Sequence, residues 1–288
     1  MHAKRVLSKQ HSQIQRLEQI DCVRLSHRDG WSVAIVEPGR YCVAQNLYQS
    51  WPAIHIPHQP VPRDPLITIN SSNVTVDLAE RKLVNRTPIG KGVWVSSSSR
   101  SPFRKIRISN GSIITSTRPS VIMINDWNSD NRRFGRGYFI ASSHGDLTQY
   151  RPTEYVLENL TLEAENHVII MQGMKNVIRN CRIIGGNGTV NLYGPNLLFE
   201  KNEIILRVKN RGALGAEPPV ALYLEDAANS IVRNNRIVIS GRSAQAEAIV
   251  LKNSPNVLLE GNTIKGAKHV YQLLDERSTV MDLENTVR

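Results

Sequence analysis

The sequence predicts an all-β fold with a single domain, a parallel β-solenoid in which short strands wind into stacked coils. Seven segments fit one nine-residue template whose last residue is aliphatic and whose sixth or seventh residue is asparagine. Apolar and polar residues alternate with period two inside these segments, which is the pattern of strands and not of helices. Because self-similarity at a regular period marks a repeat architecture, these observations together indicate a solenoid.

The template recurs along the chain at the interval that a solenoid requires. Its final aliphatic residue is found at Ile113, Leu162, Ile183, Ile204, Ile237, Ile264 and Val287. Intervals of 21 to 33 residues are long enough for one coil, whereas the interval of 49 residues holds either an extra coil or an insertion. From this spacing we expect about eight to ten coils, with one buried column formed by Ile183, Ile204, Ile237 and Ile264.

The asparagines of the template have a structural role in such a fold. A sharp corner between two strands needs the left-handed backbone region, which asparagine tolerates better than most residues. When coils stack at about 4.8 Å, each asparagine amide can hydrogen-bond to its equivalent in the next coil. We therefore expect one ladder formed by Asn202, Asn235, Asn262 and Asn285, with Cys181 in the same column.

The repeat resembles that of a known group of proteins. The pattern Asn-Val-x-Ile/Leu-x-Asn-Asn-x-Ile is similar to the coil repeat of the pectate-lyase-like superfamily, and the Pro-Gly-x-Tyr segment at residues 38–41 also fits. The resemblance covers residues 30–288 and implies a right-handed parallel β-helix in which one sheet face forms the substrate cleft. It is specific for the fold and weak for the activity, because the matching residues are corners and core positions.

Composition limits the class of protein and its partners. The 288 residues are 40% hydrophobic and 21% charged, and no apolar run is long enough to span a bilayer. Lysine and arginine outnumber aspartate and glutamate by 36 to 25, and the formal charge of +11 favours an anionic partner. Because no nucleic-acid motif accompanies this charge, an acidic polysaccharide or oligosaccharide is favoured over nucleic acid. The oligomeric state stays open.

The beginning of the chain is expected to precede the solenoid. The basic residues 2–5 are followed by polar residues and not by an apolar signal core, which favours a cytoplasmic or phage-associated protein. Residues 1–29 are expected to form a cap segment with a short amphipathic capping helix, because the end of a solenoid needs cover. The β-helix domain then spans residues 30–288, with a long inserted loop at residues 125–152.

The three cysteines, Cys22, Cys42 and Cys181, are odd in number and widely spaced. This spacing fits neither a disulfide framework nor a zinc site, so the sequence predicts buried or incidental thiols. No metal-ligand motif is present, and calcium as a cofactor is an open question without motif support.

The strand that precedes each template indicates where chemistry could take place. Its expected core residues are Val168, Ile170, Leu222, Leu224, Ile249, Leu251 and Leu274. Alternate residues then point outward, and stacking aligns Met171, Tyr193, Glu225, Lys252 and Asp275 on one face. Carboxylates beside a lysine suit acid–base chemistry, so the candidate catalytic residues are Glu225, Asp226, Lys252 and Asp275. The alternative is a cross-strand ladder of salt bridges without a catalytic role.

Candidate substrate-binding residues come from the same face and from two basic segments. Tyr193 and Tyr223 are outward positions with rings suited to stacking on sugars. The inserted loop and a shorter basic segment add side chains suited to anionic groups, and the residues expected to border the cleft are Arg132, Arg136, His144 and Arg207.

Two functions are compatible with the sequence. The first is a carbohydrate-active protein that acts on or binds an acidic polysaccharide, for example a polysaccharide lyase that removes the proton next to a uronate carboxylate. The second is a non-catalytic β-helix module that recognises glycans, of the phage-tail or surface-attachment type. The motifs of polygalacturonase-like hydrolases and alginate epimerases do not occur in the sequence, so whether the protein is an enzyme is open.

Overall fold

The computed structural model describes residues 22–26, 32–50, 65–87, 90–95, 102–115, 121–124, 150–186, 188–208, 219–241 and 246–288. Within those ranges the chain forms 26 β-strands and no helix. Neighbouring strands are parallel and belong to successive coils, as in the pairing of Leu157 with Ile178. The expected all-β fold of stacked parallel strands is confirmed. The expected capping helix lies outside the described residues.

The first wall of the solenoid is a nine-stranded parallel sheet. Each coil contributes one strand to it, so the described part of the chain contains nine coils at this wall, within the expected number. The strands are β2 (Val33–Ile35), β5 (Ile67–Ile69), β8 (Val93–Val95), β10 (Ile122–Ile124), β12 (Ile169–Gln172), β15 (Gly188–Tyr193), β18 (Val220–Glu225), β21 (Glu247–Lys252) and β24 (Tyr271–Leu273).

The second and third walls form one 17-stranded sheet that bends in every coil. The second wall contains β1 (Val23–Leu25), β3 (Gly39–Val43), β6 (Val74–Asp77), β13 (Val177–Arg179), β16 (Leu198–Glu200), β19 (Ile231–Arg233), β22 (Val257–Glu260) and β25 (Val280–Leu283). The third wall contains β4 (Leu47–Gln49), β7 (Lys82–Asn85), β14 (Arg182–Gly185), β17 (Glu203–Val208), β20 (Arg236–Gly241), β23 (Thr263–Lys265) and β26 (Thr286–Val287). Two longer strands run through the bend and belong to both walls, β9 (Ile106–Thr115) and β11 (Val156–Glu163).

Left-handed residues make the bend between the second and third walls. The sixth template position has φ between 53° and 61° in all seven segments, at Asn110, Asn159, Asn180, Lys201, Asn234, Gly261 and Glu284. Asparagine and glycine occupy five of these seven positions because they adopt this conformation at low cost. The template asparagines at this position are therefore corner residues, as the sequence predicts.

A continuous apolar core fills the space between the three walls. The predicted column is confirmed, since Ile204 is paired with Ile183 on one side and with Ile237 on the other, and Ile237 is paired with Ile264. All four side chains are fully buried. Burying one such side chain contributes about 1.5–3 kcal/mol, so the column is a main source of stability.

The asparagine ladder is also confirmed. The backbone N–H of Asn202 donates to the side-chain oxygen of Asn235 at 2.8 Å, and the N–H of Asn235 donates to Asn262 at 3.0 Å. The N–H of Asn262 in turn donates to Asn285 at 2.8 Å, while that of Cys181 donates to Asn202 at 2.9 Å. Each amide thus satisfies a backbone donor of the coil before it, which a buried turn requires.

The expectation of free thiols is wrong for two of the three cysteines. Cys22 and Cys42 form a disulfide, with Cα atoms 5.7 Å apart. The stacking of coils brings the two cysteines together, because β1 pairs with β3 and a separation of 20 positions returns the chain to the neighbouring strand. Cys181 is free and buried, as expected. The 17-stranded sheet also includes β1, so the stacked strands begin before residue 30, where the β-helix domain was expected to start.

The long interval in the repeat is an insertion and not an additional coil. β9 pairs directly with β11, so these strands lie in consecutive coils of the second and third walls. The first-wall strand β10 lies between them in the chain and pairs with β8 and β12. Residues 125–149, which contain most of the predicted inserted loop, lie outside the described residues.

Candidate functional site on the first wall

The outer face of the first wall brings three of the predicted site residues into one column. Tyr193 is paired with Glu225, and Glu225 is paired with Lys252, so the three lie on consecutive coils. Tyr223 lies in the adjacent outer column between Asn191 and Val250. The alternation read from the sequence is therefore correct for β15, β18 and β21.

The prediction for β12 is wrong by one residue. Ile169 and Met171 pack in the main core, whereas Ile170 belongs to a second apolar cluster on the outer face. The register agrees, because Ile170 is paired with the outward Asn191 and Met171 with the inward Leu192. Met171 is consequently a core residue and cannot contact a ligand on this face.

The prediction for the last coil is wrong in the same way. Leu273 is paired with the core residue Leu251, and Leu274, which was expected in the core, is 51% exposed. Asp275 follows in the turn after β24, where its carboxylate accepts the N–H of Asn253 at 2.5 Å and the hydroxyl of Ser278 at 2.9 Å. It therefore lies beside Asn253 and not in the column of Lys252.

Asp275 stabilises that turn as a carboxylate. Burial would raise its pKa, but hydrogen bonds from the N–H of Asn253 and from the hydroxyl and N–H of Ser278 outweigh burial and hold the pKa below its ordinary value. A carboxylate engaged by several donors in a turn is typical of a structural role. Asp275 shares Asn253 with the candidate acid Asp226, but it lies outside the column of Glu225 and Lys252.

Glu225 is the acidic centre of the outer face, and its side chain is only 2% exposed. Its Oε1 lies 3.0 Å from the ammonium of Lys252, and its Oε2 accepts the hydroxyl of Tyr223 at 2.9 Å. Lys252 itself is 43% exposed, so the ion pair links a buried carboxylate to an ammonium at the surface. Both oxygens of Glu225 are thus close to a donor group.

Asp226 is the second buried acid and adopts a left-handed backbone conformation, with φ of 57°. Its Oδ2 accepts the hydroxyl of Tyr150 at 2.8 Å, and its Oδ1 accepts the side-chain amide of Asn253. The sequence predicted Asp226 as a candidate acid but did not identify Tyr150 or Asn253 as its partners. Tyr150 lies near the end of the expected insertion and belongs to no strand, so strand alternation cannot predict where its side chain lies.

The second apolar cluster of the outer face lies beside the two acids. Its buried members are Tyr150, Ile170, Tyr193, Tyr223 and Val250. The rings of Tyr193 and Tyr223 have centroids 6.0 Å apart and planes tilted by 56°, so they are in contact in a tilted arrangement. Tyr193 is 3% and Tyr223 8% exposed, so neither ring presents an open face to solvent.

The remaining predicted binding residues do not join this cluster in the described part of the chain. Arg132, Arg136 and His144 lie outside the described residues. Arg207 is in β17 on the third wall, where its guanidinium lies 2.8 Å from Glu163. Arg207 is therefore committed to an ion pair on another face of the solenoid.

Two further properties of the described residues bear on the predictions. They contain no group of three or more His, Cys, Asp and Glu side chains that could hold a metal ion. They also contain no helix long and apolar enough to cross a membrane.

Comparison with known proteins agrees with this architecture. A family model described as a right handed beta helix region matches residues 137–287, which is slightly more than half of the 288 residues. No curated protein and no solved structure matches the chain significantly. With its stacked parallel strands, its asparagine ladder and this match, the chain belongs to the right-handed β-helix family.

Proposed function

We propose that the protein binds an acidic polysaccharide along the outer face of the first wall, at the site formed by Lys252 and the buried acids beneath it. The family supports this proposal in a general way, because the fold resembles that of the pectate-lyase-like superfamily. The formal charge of +11 supports it as well, since a basic protein attracts polyanions over distances beyond direct contact.

The observation that carries the proposal is the exposure of Lys252. In the ion pair with Glu225, the cation is 43% exposed and the anion is 2% exposed. A ligand that approaches this face therefore meets an ammonium before it meets a carboxylate. An ammonium at the surface of a shallow sheet face suits the carboxylate groups of a uronate chain.

The two tyrosines have a supporting role in this proposal. Tyr193 and Tyr223 are almost fully buried, so we assign them to the floor of the site and not to stacking against sugar rings. Tyr223 fixes one oxygen of Glu225 through its hydroxyl. Arg132, Arg136 and His144 stay predicted as residues at the border of the site.

Binding without turnover is the function that these contacts favour. The side-chain nitrogen of Lys252 lies 3.0 Å from the carboxylate of Glu225, so it is already engaged by a group of the protein itself. The carboxylate oxygens of Asp226 are both held by hydrogen bonds, to Tyr150 and to Asn253. Because Lys252 and Asp226 already have partners within the protein, these contacts favour a structural role over acid–base catalysis.

Binding is tested with oligogalacturonate by isothermal titration calorimetry at two salt concentrations. Lys252→Met is expected to weaken binding by about three- to tenfold at low salt and to reduce its salt dependence, because one exposed ionic contact is lost. Lys82→Met is the matched control, since Lys82 is an exposed lysine on the third wall. Equal affinities of the parent and the Lys252→Met variant would contradict the proposed site.

A polysaccharide lyase is the second candidate, because Lys252 and Glu225 lie within 3.0 Å of each other on one outer face. The assay is the absorbance of unsaturated uronate after incubation with polygalacturonate, alginate or glycosaminoglycans, with and without calcium. An increase in absorbance that Lys252→Met abolishes would identify a lyase. Binding without any increase supports the non-catalytic function.

A further inference from the structure

A second polar site lies on the outer face of the second wall, far along the solenoid from the coil of Lys252. It is a groove of about 700 Å³ that crosses β3, β6, β9 and β11. A volume of this size accommodates a small organic ligand. The groove is lined by Cys22, Arg40, Tyr41, Cys42, Thr75, Asp77, Arg107, Ser109, Asn110 and Glu158.

Coil stacking arranges the polar side chains of the groove in two parallel columns. In one column Arg40 is paired with Thr75, and Thr75 is paired with Arg107. Because adjacent strands are about 4.8 Å apart, the two arginines arise about 10 Å from each other with a hydroxyl between them. The column becomes apolar at the next coil, where Arg107 is paired with Val156, and this limits the groove on that side.

The second column supplies hydrogen-bond acceptors and a hydroxyl. Asp77 lies between Cys42 and Ser109 in register. Its Oδ1 accepts the N–H of Ala79 at 2.8 Å and the amide of Asn110 at 3.3 Å, so the carboxylate is held in a fixed orientation. A fixed carboxylate next to hydroxyl and amide groups suits the hydroxyl groups of a polyol.

The positive charges of the groove are not all neutralised. Glu158 is bound by both Arg107 and Arg179, so one anion is shared between two cations. Burial would raise the pKa of Glu158, but the hydrogen bonds and charges of Arg179 and Arg107 hold it below its ordinary value, and the pair remains ionic. The side chain of Arg40 is exposed and forms no hydrogen bond or ion pair with another described residue.

We propose that this groove binds a small polyhydroxylated anion, a molecule with one carboxylate or phosphate and several hydroxyl groups. The anionic group pairs with the guanidinium of Arg40, which can present two parallel N–H donors to it. The hydroxyl groups of the ligand bond to Thr75, Ser109 and Asp77. Asp77 disfavours a bare anion by charge repulsion, so the hydroxyl groups are needed for recognition. This site shares no residue with the first-wall site and does not depend on the function proposed there.

The proposal is tested by calorimetric titration with four probes, namely gluconate, glucose 6-phosphate, glucose and inorganic sulfate. Gluconate or glucose 6-phosphate is expected to bind at least about tenfold more tightly than glucose and sulfate, because only these two probes combine both kinds of group. The stronger of the two identifies the anionic group as carboxylate or phosphate. Glucose or sulfate binding as tightly as both of them would overturn the proposal.

Variants locate the binding in the groove. Arg40→Met is expected to weaken binding of the tighter-binding probe by at least about tenfold. Thr75→Val keeps the shape of the side chain and is expected to weaken the same binding by about threefold. Arg86→Met removes an exposed arginine outside the groove and is the matched control, expected to stay near the parent affinity. Lys252→Met should also bind like the parent. Equal losses in Arg40→Met and Arg86→Met, or no binding of any probe to the parent, would refute the site.

Discussion

The ammonium of Lys252 lies 3.0 Å from Oε1 of Glu225, a carboxylate that the fold buries almost completely. The two residues belong to adjacent coils and are paired in register on β18 and β21. The ion pair therefore fastens one coil to the next on the outside of the solenoid, where the apolar core does not reach. We expect the ion pair to contribute to stability because Lys252 is the cationic partner of the buried Glu225 carboxylate.

Lys252→Met is expected to lower the free energy of unfolding by about 1–3 kcal/mol, because it leaves the buried carboxylate of Glu225 without its ion-pair partner. The same substitution in a Glu225→Gln background should cost less, since the buried group is then neutral. Urea denaturation of the four proteins in this double-mutant cycle measures the difference. If Lys252→Met has the same cost in both backgrounds, the ion pair contributes nothing to stability.

The asparagine ladder provides a second test of how the coils are joined. Asn235→Leu is expected to destabilise the protein by about 3 kcal/mol or more, because it removes the acceptor of the Asn202 N–H and the donor to the Phe199 carbonyl in a buried turn. Asn285→Leu, in the last coil, is the matched comparison. We expect the smaller loss at Asn285, where water can replace the lost partners. Denaturation midpoints that rank the two variants in the opposite order would contradict this explanation.

The sequence was sufficient for the fold because its template specifies the corner and the core together. The left-handed residue is at the sixth template position and the ladder asparagine is at the seventh, so Asn202 and Asn235 could be aligned without any structure. The aliphatic residue that ends each template gave the core column of Ile204 directly. The aliphatic residue recurs in all seven template segments and the ladder asparagine in four of them, and this repetition makes both signals reliable.

The sequence was insufficient where alternation was missing or where contacts were not local. The run from Val168 to Met171 is apolar at every position, so period two gives no choice between its two faces, and a slip of one residue exchanges them. The Cys22–Cys42 disulfide depends on coil stacking, and its spacing has no meaning in a chain read linearly. The bond between Tyr150 and Asp226 joins residues 76 positions apart and likewise required the fold.

A thiol titration is expected to count a different number of reactive cysteines under each of three conditions. Cys181 is buried, and burial raises the pKa of its thiol to about 12, so it should not react in the native protein at neutral pH. Unfolding without reductant should expose one reactive thiol, because Cys22 and Cys42 are joined. Unfolding with reductant, followed by its removal, should expose three. Three reactive thiols in the unreduced unfolded protein would show that the disulfide is absent.

His167 is expected to make the protein less stable as the solution becomes mildly acidic. Its Nδ1 lies 2.7 Å from the carbonyl oxygen of Gly188 and 2.9 Å from the side-chain amide of Asn191. Burial lowers the pKa of His167 below its ordinary value of 6.5, although the hydrogen bond to Gly188 acts in the opposite direction. In the unfolded chain the imidazole recovers that ordinary value, so the unfolded state binds a proton more readily than the folded state.

The contribution of neutral His167 to the free energy of unfolding is therefore complete above pH 6.5. It is lost as the pH falls from 6.5 towards the lower pKa of the folded state. One proton gives a limiting slope of about 1.4 kcal/mol per pH unit in the free energy of unfolding. Denaturation between about pH 7.5 and 5.5 isolates this effect, because most carboxylates titrate at lower pH. His167→Gln should flatten the curve in this range, whereas His269→Gln, which removes an exposed imidazole, should leave the slope of the parent in place. A slope that persists in His167→Gln would assign the pH dependence to another group.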